Sequence, residues 1–181
     1  MEKLTFSILT PWHKESLGTI ALNHFVQDIL LCQGVITATS SLVTPRYQFH
    51  IGDRVLITQT DYKKDIYNGD TGFVTKVTSN SSGVSAIQVV IRGKTVNFTK
   101  KQAKFIDLAY CLTPHKMQGG ETDEVLVIIP NDSHFMLSRE WLLTSITRAK
   151  KHFIIISSVG FSNTISILFS RLMGLSSHPI C

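Results

Sequence analysis

Leu112-Thr113-Pro114-His115-Lys116-Met117-Gln118-Gly119-Gly120-Glu121 is a polar, glycine-bearing segment wedged between apolar runs. Leu108 to Leu112 before it is strand-like, and Glu124 to Ile129 after it is a strongly apolar strand. A polar loop at the carboxyl edge of a buried strand is where open α/β sheets place ligands. Thr113, His115, Lys116 and Gln118 offer a hydroxyl, an imidazole, an ammonium and an amide, all able to meet phosphates or bases. Gly119-Gly120 lets backbone approach a ligand closely. A solvated turn is the competing reading of the same residues.

Outward from this segment the chain keeps an α/β rhythm. Thr5 to Leu9 forms a buried strand stopped by Pro11, and Leu22, Phe25, Val26, Ile29 and Leu30 recur at helical spacing from Thr19 until Gln33-Gly34. Ser138 caps a predicted helix running to about Ala149 that buries Trp141, Leu142 and Ile146. Phe153 to Ser157 follows as a strand, and Ile165 to Leu172 as a last amphipathic helix. Between these halves the texture changes. Residues 33–48, rich in Ser, Thr and Gly, are expected to be a linker. Arg54 to Thr60, Gly72 to Thr78, Ser85 to Ile91 and Thr95 to Thr99 are four short strands with turn signals at Asn68-Gly69-Asp70, Asn80 to Gly83 and Arg92-Gly93. Such spacing predicts a small barrel over 49–104. The expected organisation is an α/β domain of residues 1–48 and 105–181 interrupted by that insert.

Composition bounds the rest. In 181 residues, 43% are hydrophobic, and 18 Lys and Arg against 13 Asp and Glu give a net charge of +5, which permits contact with phosphates without requiring it. Cys32, Cys111 and Cys181 are widely spaced and odd in number, so no disulfide framework is expected, and a reducing, cytoplasmic setting is. No signal peptide or membrane span is evident. Cys111 and His115 have no second ligand pair, so no metal site is expected.

A second segment, Thr144-Ser145-Ile146-Thr147-Arg148-Ala149-Lys150, places an arginine near a helix end, where it can be a favourable end charge or a finger for a phosphate bound by a neighbouring domain. Together the two segments resemble motifs V and VI of superfamily 1 helicases, in particular the RecD-like branch. Thr113, His115, Lys116, Gln118, Gly119 and Glu121 match the first motif, and Thr144, Thr147, Arg148, Ala149 and Lys150 the second. Gly52-Asp53-Arg54-Val55 and Asn68-Gly69-Asp70-Thr71-Gly72 resemble the SH3-like insert of that branch, and Ile8-Leu9-Thr10-Pro11 with Gly18, Leu22 and Asn23 resembles the segment before it. Leu143, Met117 and Gly120 depart from the common pattern.

The resemblance implies a RecA-like second motor domain with an inserted SH3-like barrel. It assigns Arg148 as the catalytic finger on the γ-phosphate. Glu121 and Gly119 fall to the nucleotide side, and Thr113, His115, Lys116, Gln118 and Thr144 to the single-stranded DNA side. Lys63, Lys64 and, more weakly, Lys76 of the insert are further candidates for strand contact. The implied direction of travel is 5′ to 3′. A phosphate-binding loop needs Gly-x-x-x-x-Gly-Lys-Ser/Thr. Gly93-Lys94-Thr95 is the nearest approach, but Gln88 stands where the first glycine is needed, within a hairpin-like stretch. ATP and Mg²⁺ are therefore expected only when a P-loop domain, in the same or another chain, completes the motor, and no ATPase activity is expected of this chain alone. A stand-alone nucleic-acid-binding module is the alternative, and a peptide-binding platform on the barrel a third class.

Overall fold

A computed structural model describes residues 6–80, 83–117, 120–130 and 138–157. The element order is β1 (Phe6–Leu9), α1 (Thr19–Cys32), β2 (Thr37–Val43), β3 (Gln48–Ile51), β4 (Arg54–Ile57), β5 (Thr71–Asn80), β6 (Gly83–Ile91), β7 (Lys94–Thr99), β8 (Ile106–Leu108), β9 (Cys111–Leu112), β10 (Thr122–Ile129), α2 (Arg139–Ile146) and β11 (Ala149–Ser157). Strands from the two ends of the chain form one parallel sheet in the order β11-β10-β1-β9. Burial alternates along β10, where Val125, Val127 and Ile129 are buried on one face and Leu126 and Ile128 only partly on the other, while Ile8 and Leu9 of β1 are both buried. The final helix expected over 165–172 lies outside the described residues. Among the described residues no helix is long and apolar enough to cross a membrane.

The intervening strands pair antiparallel in the order β7-β6-β5-β4-β8, with β2 and β3 as a separate hairpin. Residues 33–48 are thus not simply a linker: β2 pairs with β3, and Leu42 is fully buried. Threonine is β-branched and suits a pleated strand, so Ser/Thr-rich composition alone misled. The β6–β7 hairpin turns at Arg92 and Gly93, both at positive φ (49° and 79°), the geometry of a two-residue I′ turn. Gly93-Lys94-Thr95 is therefore a hairpin, and Lys94 pairs with Asp65. At Gly72 any Cβ would stand 2.5 Å from the Val90 carbonyl, so the close β5–β6 approach requires glycine.

The helix α1 ends in a Schellman motif: Gly34 adopts φ 69°, the Val35 amide donates to the Leu30 carbonyl, and the Gly34 amide to Leu31. Its inner face is not the apolar stripe that spacing suggested. Leu22, Val26 and Leu30 are buried, each contributing about 1.5–3 kcal/mol. Phe25 and Ile29 face outward, and Asn23 and Gln27 take inner positions, where the Asn23 amide bonds through both its nitrogen and its oxygen and Gln27 Nε2 donates to the Gln48 carbonyl and Asp53. Asn23 donates from Nδ2 to the Thr19 and Cys111 carbonyls (both 2.8 Å) and accepts from the Tyr110 and Cys111 amides (both 2.9 Å). It pins the chain entering β9, directly before the polar segment.

Candidate functional site

Two connections bring the sequence-predicted residues together. The first runs from β9 to β10. Thr113 is half-buried, and its carbonyl accepts from the Lys116 and Met117 amides, closing a short 3₁₀ turn over Pro114–Met117. Met117 is buried, and this holds His115 and Lys116 outward. Gln118 and Gly119 lie outside the described residues. The second connection runs from α2 to β11. Ser138 Oγ caps α2 by accepting from the Trp141 amide (3.1 Å), as the sequence suggests. The helix stops at Ile146 rather than near Ala149, because the Arg148 carbonyl is taken by the Thr122 amide (3.0 Å) as β11 joins β10.

Arg148 therefore stands in the turn between helix and strand. Its guanidinium donates from Nε to the Thr144 carbonyl (3.2 Å), from one terminal nitrogen to the Gly120 carbonyl (3.3 Å) and from the other to Thr147 Oγ1 (3.2 Å). It thereby ties the second segment to the first. All three acceptors are neutral, and all three bonds are long. Among the described residues no carboxylate pairs with Arg148. A guanidinium so held exchanges weak neutral contacts for stronger charge-assisted ones when an anion arrives. Glu121, next to Gly120, meets Lys150 at 3.4 Å with both side chains about half exposed (57% and 53%), a pair worth little by itself. Glu121 also lines a cleft of about 670 Å³ with Arg54, Thr71, Arg92, Asp123 and Lys150, between the sheet edge and the β5–β6 strands.

The other candidates are placed differently. Lys116 Nζ reaches Asp107 Oδ2 at 3.1 Å. Lys64 Nζ donates to the Asn97 carbonyl and Gln102 Oε1 and lies 4.7 Å from the centre of the Phe98 ring, so its charge is engaged within the small β unit. Lys63 and Lys76 are exposed.

Groups that sequence analysis quoted only as part of the insert's opening, or not at all, hold the parallel sheet to the antiparallel one. Asp53 is fully buried and accepts from Gln27 Nε2 (2.7 Å), the His50 amide (2.6 Å) and the Tyr110 hydroxyl (2.7 Å). Burial raises its pKa from the ordinary carboxylate value, and these hydrogen bonds oppose the rise. Burial, then the neighbouring Asp53, pushes the Tyr110 hydroxyl up. Arg54 donates to the Phe6 carbonyl (2.9 Å) and Ser7 Oγ (3.1 Å) of β1, and burial lowers its pKa. A charged pair inside an otherwise apolar stretch was the available signal.

The parallel sheet, with the two segments joined at its edge, has the RecA-like fold seen in helicase domains. Residues 108–156 match the family model of the UvrD-like helicase C-terminal domain. A Pif1 helicase from Bacteroides, solved in complex with ADP-AlF3 and ssDNA, superposes with a TM-score of 0.56 over 93% of this chain and 45% of that one at 17% identity, a likeness of fold. The RecBCD enzyme subunit RecD of Mycobacterium tuberculosis is 32% identical over 116 residues, 63% of this chain and 19% of that protein. The ATP-dependent RecD2 DNA helicase of Deinococcus radiodurans is 31% identical over 147 residues, 81% of this chain and 19% of that protein. The chain is homologous to the C-terminal part of RecD-like superfamily 1 helicases. It spans about a fifth of the length of these curated relatives.

Proposed function

We propose that this domain is the closing half of an ATP-driven motor on single-stranded DNA. The observation that carries the proposal is the Arg148 guanidinium, bound among the described residues to neutral acceptors at the junction of the two motifs. In the assembled motor Arg148 donates to the γ-phosphate of ATP held by a P-loop domain, which also supplies the Mg²⁺ ligands. Glu121 accepts from the nucleotide ribose, with Gly119 in the backbone beside it. Thr113, His115, Lys116 and Gln118 contact the strand, and Thr144, whose carbonyl holds Arg148, couples the two sites. The antiparallel sheet is the core of the SH3-like insert expected over 49–104 between the halves 1–48 and 105–181, with its edge strand β8 running on to Leu108, and exposed Lys63, with Lys64 beside it, adds strand contact. The relatives named above, one an ATP-dependent DNA helicase and one a fold neighbour solved with ssDNA, favour this reading.

Reconstitution tests it. The chain alone hydrolyses no ATP, and adding the P-loop domain of a RecD-like helicase gives ATPase activity stimulated by single-stranded DNA. Salt-sensitive DNA binding with no stimulation would instead favour a stand-alone binding module. ATPase activity from the pure chain, abolished by Arg148→Ala, would sink the proposal.

A further inference from the structure

Beside the first motif, one buried carboxylate holds two half-exposed cations. Asp107 sits on β8, paired with Leu56 of β4, and its side chain is only 6% exposed. Its Oδ1 accepts from Arg46 (2.9 Å) and its Oδ2 from Lys116 (3.1 Å). The cations are 51% and 40% exposed, so their outer sides face solvent. One negative charge against two positive ones leaves the cluster with a net charge of +1. The field is felt nearby: the pKa of His13 is lowered by burial first, then by Lys116 and Arg46, with Asp107 opposing them. Arg46 is also fixed from behind. It lies in a turn closed by the Thr44 amide and hydroxyl, both donating to the Tyr47 carbonyl (2.9 and 2.8 Å).

A solvent-exposed ion pair contributes little to stability, because water screens it and the long side chains lose freedom. Two cations set side by side on a carboxylate too buried to move are instead a preorganised site for a polyanion. They are already oriented, so little further side-chain order is lost on binding. We propose that Arg46 is a second contact to the DNA phosphate backbone, paired with Lys116 and positioned with it by Asp107. This inference rests on the reading that the domain binds single-stranded DNA through the first motif. It adds to that surface a residue from the β2–β3 turn, far away in sequence.

Counterion release gives the test. Binding of fluorescein-labelled oligothymidylate is followed by anisotropy over a series of NaCl concentrations, with wild type, Arg46→Ala, Arg46→Lys and Lys116→Ala. Each lost phosphate contact on a single strand reduces the log–log salt slope by about 0.7. Arg46→Ala is expected to lose about that much slope and to bind several-fold more weakly at low salt, as Lys116→Ala does, while Arg46→Lys keeps the slope. Thermal melting within experimental error of wild type shows that Arg46→Ala still folds. A wild-type slope in Arg46→Ala beside a reduced one in Lys116→Ala overturns the assignment of Arg46 alone. No binding of oligothymidylate by the wild-type chain overturns the reading beneath it.

Discussion

The two polar regions of this domain are built in opposite ways. At the joint between the sheets, Asn23, Gln27, Asp53 and Tyr110 are buried, and apart from a 3.4 Å contact from the Arg54 amide to the Tyr110 hydroxyl the bonds made by their side chains lie between 2.6 and 2.9 Å. At the motif edge, Arg148 makes bonds of 3.2–3.3 Å, and Glu121 and Lys150 pair at 3.4 Å in partial solvent. Buried polar groups must be satisfied or the fold suffers. Polar groups that must change partners during a working cycle do better with weak, exchangeable contacts. The contrast separates residues that hold the shape from residues that are free to act.

Substitutions can break that contrast or sharpen it. The largest effect is expected at the motif edge and in activity. Arg148→Ala should lower the ATPase rate of the reconstituted motor by ~10³-fold, while the melting temperature of the chain barely moves. A large loss of stability in that variant would erase the distinction. At the joint the pattern reverses. Asp53→Ala leaves three donors without an acceptor in a buried site and should cost about 3–5 kcal/mol, read from the urea midpoint. Ser138→Ala removes the α2 cap and should cost about 1 kcal/mol by the same measurement. Glu121→Gln, losing only a half-exposed pair, should shift stability by less than about 1 kcal/mol.

The smallest effect concerns pH. His13 has its pKa lowered from 6.5 in the folded state, so the unfolded chain binds its proton first as pH falls. Its contribution to stability is present above pH 6.5 and is lost as pH drops through the window below it. His13→Gln should flatten the dependence of melting temperature on pH in that window. An unchanged profile would mean that neither burial nor the field of Lys116 and Arg46 lowers the pKa of His13 in the folded chain.

Much of the architecture was legible because it rests on local patterning. Apolar runs marked β1 and β10, Ser138 marked a helix start, and Arg92-Gly93 marked a hairpin. What escaped was set by long-range pairing. A strand rich in serine and threonine became visible only once Leu42 found its place in the core. The inward turn of Asn23 depends on backbone amides 87 and 88 residues away. Among the proposed site residues, Arg148, Thr144, Glu121, Thr113, His115 and Lys116 could be named from the resemblance of their segments to known motifs. Arg46 and Asp107 could not, since no periodicity links a β-turn to a strand 61 residues later.

Asp53 closes the turn before β4 and Arg54 opens that strand, and their side chains leave in different directions. One reaches back to α1 through Gln27, the other to β1 at Phe6 and Ser7. The dipeptide works as a two-sided rivet, and it makes the small β unit a poor candidate for modular exchange. Cutting the unit out and splicing its ends would strand the Gln27 amide and strip apolar cover from Leu22, Val26 and Leu30, which share a core with Phe49 and Val55. Grafting it onto another parallel-sheet domain would require a host with both a glutamine-bearing helix and an edge carbonyl in register. The insert and its host are therefore expected to change together over evolutionary time, as one inherited part.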